Sequence, residues 1–286
     1  MGGTLRTIWL IGLLSALMAA IGFAVAAYFQ WDPILGTVVF LVIAAVFNIV
    51  TLFAGDKIVL KAYKAKIVTP EEAPRLHRII DHLCLRSGIP KPKIAVIPTE
   101  NPNAFATGRS PKHATVAATV GILGILNDEE LEGVMAHELA HVQNRDMLVM
   151  TTAATIAGAI SFAARAFFWG SLFGGGNRDG GGNLMVALLL MITAPIAAML
   201  VQLSISRTRE YKADATGAKI TGKPWALANA LRRIEAGNQA MPLRDGNPAH
   251  SSLFISNPFR GGAMAGLFAT HPPMEKRIER LERMAP

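Results

Sequence analysis

The sequence predicts a mainly α-helical integral membrane protein whose transmembrane helices carry an α+β domain with a small sheet. Three observations lead to this fold class. Hydrophobic residues make up 51% of the 286 residues and charged residues 17%, an apolar balance for a soluble domain. Two uncharged runs near the N-terminus, over about 7–29 and 34–54, are each long enough to cross a bilayer as a helix. Farther along, amphipathic helical patterns alternate with short stretches typical of strands.

The two N-terminal runs are expected to form a helical hairpin, because only residues 30–33 (QWDP) separate them. A cleaved signal peptide is the alternative interpretation of the first run. That run exceeds the usual apolar region of a signal, about 7–15 residues, and a second run follows at once. The sequence therefore favours a retained hairpin.

Two further apolar runs are weaker candidates for transmembrane helices. They cover 147–164 and 184–205 and are separated by a glycine-rich turn. Arg165 follows the first of them and Pro195 lies inside the second, so buried helices of a protein core are the alternative. A proline is tolerated in a spanning helix where neighbouring groups satisfy the freed carbonyl.

Basic residues indicate which side of the membrane the rest of the chain occupies. The turn between the first two runs has none, whereas they cluster after the second and fourth runs, at Lys57, Lys61, Lys64, Lys66, Arg207, Arg209 and Lys212. By the positive-inside rule these clusters are cytoplasmic. The net charge of +8 then points to the lipid bilayer as a partner, with no nucleic acid, because the cations lie beside apolar runs.

The single cysteine, Cys84, excludes an intrachain disulfide framework and is expected to be buried.

These features divide the chain into four regions. A transmembrane hairpin occupies 1–56, the first part of a soluble domain 57–146, the third and fourth apolar runs 147–206, and the second part of the soluble domain 207–286. Both soluble parts fall on the same side of the membrane, so they can form one domain.

The first soluble part is expected to combine a helix with two or three strands. The helix begins at Thr69, which forms a capping box with Glu72, and ends at Gly88. His77 and His82 lie outside its apolar spacing and are predicted to be surface residues. KIAVIP is predicted to be a strand, and NPNAFATG a turn leading to further extended pieces. In the last region, PWALANALRRIEAG and PPMEKRIERLERM predict helices.

The strongest chemical signal is the H-E-x-x-H motif in HELAH. Asn127 and Glu130 form a capping box ahead of it, which predicts that the motif lies on a helix. A spacing of four residues puts His137 and His141 on one face, able to bind one metal ion, and brings Glu138 near the open side of that ion. The motif can arise by chance, but the apolar residues around it place its helix against a core.

A catalytic zinc keeps three protein ligands and one water, so a third ligand must come from elsewhere. We expect Glu210 to be that ligand, because it lies on a helix with small residues that permit close packing. Asp214, four residues later on the same face, can then accept the free N–H of a ligating histidine. The alternative is a pair of surface carboxylates that interact with Arg207 and Lys212.

Several of these segments together resemble the HtpX family of heat-shock membrane proteases: HELAH, the later EYKAD, HPPMEKRI and NPNAFATG. The similarity covers nearly the whole chain. It implies a multi-pass protein of the bacterial inner membrane with a cytoplasmic zincin-type α+β protease domain and one Zn²⁺ per chain. It also implies endoproteolysis of unfolded or damaged membrane proteins as substrates, without a nucleotide.

The expected chemistry follows from the motif. Glu138 is the catalytic base that takes a proton from a zinc-activated water and returns it to the leaving amine. The resemblance places His271 near the cleft as a donor to the oxyanion, and suggests that Arg277 orients His271 or an acidic group. By sequence alone His271 is equally well a loop histidine.

An extended substrate is expected to add a strand to an exposed sheet edge, for which the best local candidates are Asn103, Ala104, Phe105 and Ala106. Backbone recognition of this kind gives weak sequence preference. A stretch expected to be flexible, 236–262, motivates the hypothesis that the protein cleaves itself.

Two alternative functions remain open at this point. A zinc protease of the same type could process one defined substrate, such as a prenylated or precursor protein. A metal-binding transporter or membrane scaffold is the alternative outside enzymes, and a buried charge deep inside a span would favour it; Arg165 is the single candidate.

Overall fold

The structure is a computed structural model that describes residues 3–28, 30–156, 207–243, 248–259 and 272–284. Within these ranges the helices are α1 (Gly3–Tyr28), α2 (Pro33–Ala62), α3 (Pro74–Ser87), α4 (Val120–Ile125), α5 (Asp128–Asn144), α6 (Asp146–Ile156), α7 (Arg207–Thr221), α8 (Pro224–Ala240) and α9 (Met274–Glu282). The strands are β1 (Lys66–Ile67), β2 (Lys93–Ile97), β3 (Ala104–Gly108) and β4 (Ala114–Thr119). The prediction of a mainly helical chain with a small sheet is confirmed.

Helices α1 and α2 pack against each other as the predicted hairpin. Asp32 caps the start of α2 by accepting a backbone N–H. Small residues allow a close approach, since a Cβ on Gly22 would lie 2.7 Å from the carbonyl oxygen of Gly36. Farther along the pair, the Asn48 side chain donates to Ser15 Oγ at 3.1 Å.

Helix α2 is the one helix among the described residues that is long and apolar enough to cross a membrane, with a mean hydropathy of 2.6. Most of its large apolar side chains are exposed, as in Ile34 and Phe53. The helix continues without a break past residue 56, where a domain boundary was predicted, and ends at Ala62. Its last turns bury Val59 and Tyr63 in the soluble domain, so one rigid helix joins the apolar hairpin to that domain. Of the third and fourth predicted runs, 147–156 belongs to α6, whereas 157–164 and 184–205 lie outside the described residues.

The sheet has four strands in the order β1-β2-β4-β3. Strand β2 pairs with β4 in parallel, whereas β1 with β2 and β3 with β4 are antiparallel. The prediction of two or three strands missed β1, because two residues are too few to show an alternating pattern. Strand β3, inside the segment predicted as a turn, forms an edge of the sheet.

Helix α3 starts later than predicted. Thr69 and Glu72 do form the capping-box contacts, at 2.9 and 3.4 Å. The helix nevertheless begins only at Pro74, since the residue before a proline is disfavoured in the helical conformation. His77 is buried and its Nε2 lies 3.1 Å from a backbone carbonyl oxygen, so its prediction as a surface residue was wrong. Cys84 is buried as predicted.

Helix α5 lies at the centre of the soluble domain, between the sheet and helices α3, α7 and α8. Glycines permit the closest approaches. A Cβ on Gly133 would meet the backbone of Leu227 on α8 at 3.0 Å, and one on Gly217 of α7 would meet the backbone nitrogen of His137 at the same distance. The close packing predicted for the helix of Glu210 is therefore present.

Part of the stretch predicted to be flexible is packed in the core. Within it, α8 extends to Ala240, and residues 250–256 are buried. Phe254 packs edge-to-face against Tyr63 and Phe105, with ring centroids at 5.1 and 5.4 Å. The flexibility expected for 236–262 is thus wrong for these residues.

Candidate metal and active site

The motif helix α5 forms for the reason read from its sequence. Asn127 accepts the Glu130 backbone N–H at 2.9 Å, and the Glu130 carboxylate accepts the Asn127 N–H at 3.0 Å, which completes the capping box. Residues 133–142 are all buried. The H-E-x-x-H side chains therefore project from a rigid helix into the interior of the domain.

Three side chains converge as metal ligands would. The Nε2 atoms of His137 and His141 are 3.1 Å apart, and the Glu210 carboxylate oxygens lie 3.6 Å from each of them. Ligands at about 2.0–2.1 Å in a tetrahedral site are roughly 3.3 Å from one another. The spacing of the three donors fits a single ion of the size of zinc.

The electrostatic surroundings also fit a cation. Burial by itself lowers the pKa of His141, but Glu210 and Asp146 outweigh burial and raise that pKa to about 9. The same carboxylates would stabilise a divalent cation, which would take the place of the second imidazole proton of His141. Burial lowers the pKa of His137, which keeps its Nε2 lone pair available for a metal.

His137 is held by the first Asp–Arg pair, which consists of Asp214 and Arg277. Asp214 Oδ1 lies 2.9 Å from His137 Nδ1. Arg277 is fully buried and donates twice to the same carboxylate, at 2.8 and 2.9 Å, and once to the Ile255 carbonyl oxygen at 2.8 Å. Burial alone would raise the pKa of Asp214, but Arg277 outweighs burial and holds that pKa well below its ordinary value. A charged Asp214 favours the tautomer of His137 that leaves Nε2 unprotonated.

Glu138 is buried beside the three converging side chains. Burial raises its pKa to about 7, which is suited to a group that accepts and returns a proton near neutral pH. The backbone N–H of Ala106 acts in the opposite direction and lowers the pKa of Glu138, which indicates that the edge strand β3 runs close to this carboxyl group.

The outer edge of β3 is partly covered by the chain itself. The Asn103 side chain donates to the Ser256 carbonyl oxygen at 2.8 Å, and the Ile255 N–H donates to the Ala104 carbonyl oxygen at 3.1 Å. Residues 103–106 are all buried. The expectation of an exposed edge over Asn103, Ala104, Phe105 and Ala106 was therefore wrong, and residues 255 and 256 cover the first half of that edge.

Comparison with known proteins identifies the family. The model of peptidase family M48 matches residues 70–285. A protein named Protease HtpX homolog from Thermococcus sibiricus is 51% identical over 289 residues, covering 100% of this chain and 97% of the relative. The one from Pyrococcus furiosus is 50% identical over 281 residues, 98% and 95% of the two chains. The chain belongs to the HtpX family of M48 peptidases.

Membership of the HtpX family makes this chain a membrane metalloprotease and confirms that prediction. It does not favour the alternative of a transporter or scaffold. A solved structure, that of S. mikatae Ste24p, aligns with 98% of this chain and 65% of its own, with a TM-score of 0.49 at 19% identity. That likeness is too weak to add to the family assignment.

Two site residues suggested only by resemblance have different outcomes. Arg277 lies against Asp214, the acidic group that one of its two suggested roles requires. Its Nη2 is also 3.4 Å from His137 Nε2. His271 lies outside the described residues.

The second Asp–Arg pair, Asp146 and Arg209, was missed. Asp146 Oδ2 is 3.4 Å from His141 Nδ1, and Arg209 Nη1 is 3.7 Å from Asp146 Oδ1. The available signal was a lone carboxylate immediately after the motif helix and before an apolar run, where a charge is costly unless it is paired. Sequence reasoning used Arg209 only to orient the membrane segments.

Proposed function

We propose that this HtpX-family chain is a zinc endopeptidase with one Zn²⁺ held by His137, His141 and Glu210 and with Glu138 as the base. The convergence of two imidazoles and one carboxylate, beside a buried carboxyl group that is not part of the triangle, supports this assignment most directly. Three ligands leave a fourth position open, as catalytic zinc sites require.

In this mechanism a zinc ion held by the three residues supplies the activation of a water molecule. Glu138 takes the proton of that water at its carboxylate and later delivers it to the nitrogen of the leaving amine. Burial of Glu138 favours its protonated form, so the carboxyl group can hold the proton between the two transfers. Asp214 keeps the Nδ1 proton on His137 throughout, because its own charge is stabilised by Arg277.

The substrate is proposed to bind as an extended strand along the Ala106 part of the β3 edge. Two observations support this part of the edge: the Ala106 backbone is close enough to Glu138 to lower its pKa, and at the other end the Ala104 carbonyl oxygen already accepts the Ile255 N–H. Main-chain hydrogen bonds would provide affinity with little sequence preference. This mode suits an enzyme that removes unfolded or damaged membrane proteins.

We further propose a multi-pass arrangement with the protease domain on the cytoplasmic side. The continuity of α2 with the domain and the lysines after its apolar part support it. Thr107 Oγ1 lies 2.8 Å from Thr151 Oγ1, so the edge strand also contacts α6, the start of the third apolar run. A site next to apolar helices would be reached readily by chains that leave the bilayer.

Replacing Glu138 by Gln tests the central assignment. The variant should keep one zinc per chain and lose casein cleavage, because the carboxylate acts as base and is not a ligand. Metal content and cleavage are measured on one detergent-purified preparation. Glu129→Gln is the matched control, since Glu129 lies on the same helix with an exposed side chain that pairs with Lys223. Cleavage by Glu138→Gln near the wild-type rate would rule out this role.

His271 is proposed to donate to the oxyanion, on the family resemblance alone. His271→Phe should then keep zinc and lower turnover by about 10²–10³-fold, the usual effect of losing one such donor. Loss of zinc would instead make His271 a ligand.

The substrate range of the wild type distinguishes the two protease functions. If it cleaves one precursor and leaves casein intact, the processing protease is favoured over quality control.

A further inference from the structure

We propose that Asp146 and Arg209, the second Asp–Arg pair, are positioning residues that orient His141 for the metal. This inference rests on the proposed zinc site. Asp146 and Arg209 would orient the His141 ring in the same way as Asp214 and Arg277 orient the His137 ring. The two pairs come from different parts of the chain.

The backbone brings Asp146 back toward His141. Helix α5 ends at Asn144, its cap residue Arg145 adopts a left-handed conformation with φ of 59°, and α6 begins at the next residue. This break between the helices places the Asp146 carboxylate 3.4 Å from Nδ1 of an imidazole five positions earlier. A left-handed, non-glycine residue costs free energy, which the surrounding contacts must offset.

Burial gives the contact its chemical meaning. Asp146 is 5% exposed and Arg209 9%, and His141 is equally enclosed. A carboxylate at this depth needs a partner, and Arg209 Nη1 at 3.7 Å supplies a positive charge on the side away from His141. With the Asp146 oxygen as acceptor at Nδ1, the proton of His141 is held there, and Nε2, which faces His137 and Glu210, is left to bind the metal.

The position of the pair in the chain separates it from the first one. Asp146 is the first residue of α6. Arg209 lies in the first turn of α7, which begins at Arg207. The pair thus joins the first turns of two helices next to the metal ligands. Correct placement of His141 then depends on both helices at once.

The test measures zinc affinity rather than activity. Each protein is purified in detergent, stripped of metal and titrated with zinc against a chelating dye. The set comprises the wild type, Asp146→Asn, Asp146→Ala, Arg209→Met and the double variant Asp146→Ala with Arg209→Met. Asp81→Asn is the control, because Asp81 pairs with Lys91 on the surface, at 2.7 Å. Visible absorption of the cobalt-loaded proteins reports the ligand geometry independently of affinity.

We expect Asp146→Ala to weaken zinc binding by about 10–100-fold and to alter the cobalt spectrum, as loss of a partner of a ligating histidine does. Asp146→Asn keeps an acceptor and should lose less. Arg209→Met as a single substitution should weaken zinc binding. In the double variant it should cause no loss of zinc affinity beyond that of Asp146→Ala, since Arg209 acts through the aspartate.

Each other outcome overturns the inference. Zinc affinity within twofold of wild type in both Asp146 variants removes the role of Asp146. Equal losses from Arg209→Met with and without Asp146 show that the two residues act separately. A metal-free Asp146→Asn protein that melts well below the metal-free wild type marks a structural role only. Failure of the wild type to bind zinc would instead refute the proposed function.

Discussion

The two histidines proposed as metal ligands differ in how the fold supports them. His137 is backed by Asp214 and a fully buried Arg277, with contacts of 2.8–2.9 Å throughout, all within the packed helices α5, α7 and α9. The second pair, behind His141, has contacts of 3.4 and 3.7 Å and joins the first turns of α6 and α7. A short, doubly hydrogen-bonded and buried pair contributes to folding as well as to the metal site. The longer pair is suited to orienting a side chain.

The largest effect on zinc binding is expected from substitution of Glu210. Its carboxylate oxygens lie 3.6 Å from the imidazoles of His137 and His141, so its removal takes away a ligand next to both histidines. Glu210→Ala should lose zinc and cleavage together, since two remaining ligands hold the metal poorly. Metal content by atomic absorption and casein cleavage on the same preparation check this. If Glu210→Ala still binds one zinc tightly, the third ligand is elsewhere.

Breaking the first Asp–Arg pair should cost stability even without metal. Asp214→Asn removes the nearest counter-charge of the buried Arg277 and leaves only Glu210, at 3.8 Å, so it costs up to about 3–5 kcal/mol of unfolding free energy. The melting temperature in detergent with chelator present should fall clearly, in contrast to Asp146→Asn. Arg232→Met is a matched control, because Arg232 forms an exposed pair with Glu282 that contributes about 0–1 kcal/mol. Equal melting temperatures for the Asp214 and Asp146 variants would remove the distinction between the two pairs.

A smaller effect is expected from the contact between α7 and the motif helix. In Gly217→Ala the new Cβ would lie 3.0 Å from the His137 backbone nitrogen, so α7 must shift, at a cost of about 1–3 kcal/mol. The shift moves Asp214 and Glu210 together relative to His137 and should weaken zinc binding. Gly124→Ala is the control, because nothing lies within 4 Å of its added Cβ. If Gly217→Ala leaves the melting temperature and the zinc affinity unchanged, α7 and α5 can accommodate the added methyl group without cost, and the prediction is wrong.

Sequence reasoning succeeded where the information is local and failed where packing decides. The capping box of Asn127 and Glu130 predicted α5 correctly, because all its partners lie within one turn. The same reasoning placed the start of α3 too early, since Pro74 outweighed a capping box that does form. His77 was misplaced because helical spacing cannot reveal that the neighbouring segment at Val68 covers it.

The sequence by itself determined that two imidazoles four residues apart share a helix face, that a carboxylate pair with the same spacing shares another, and that an apolar hairpin precedes them. These follow from the 3.6-residue period of a helix and from the length of apolar runs. Only the tertiary structure decided which aspartate lies behind which histidine, that Arg277 is buried against Asp214, and that residues 255 and 256 cover half of the β3 edge. Those contacts join residues far apart in the chain, and their geometry depends on how the helices pack, which no local spacing encodes.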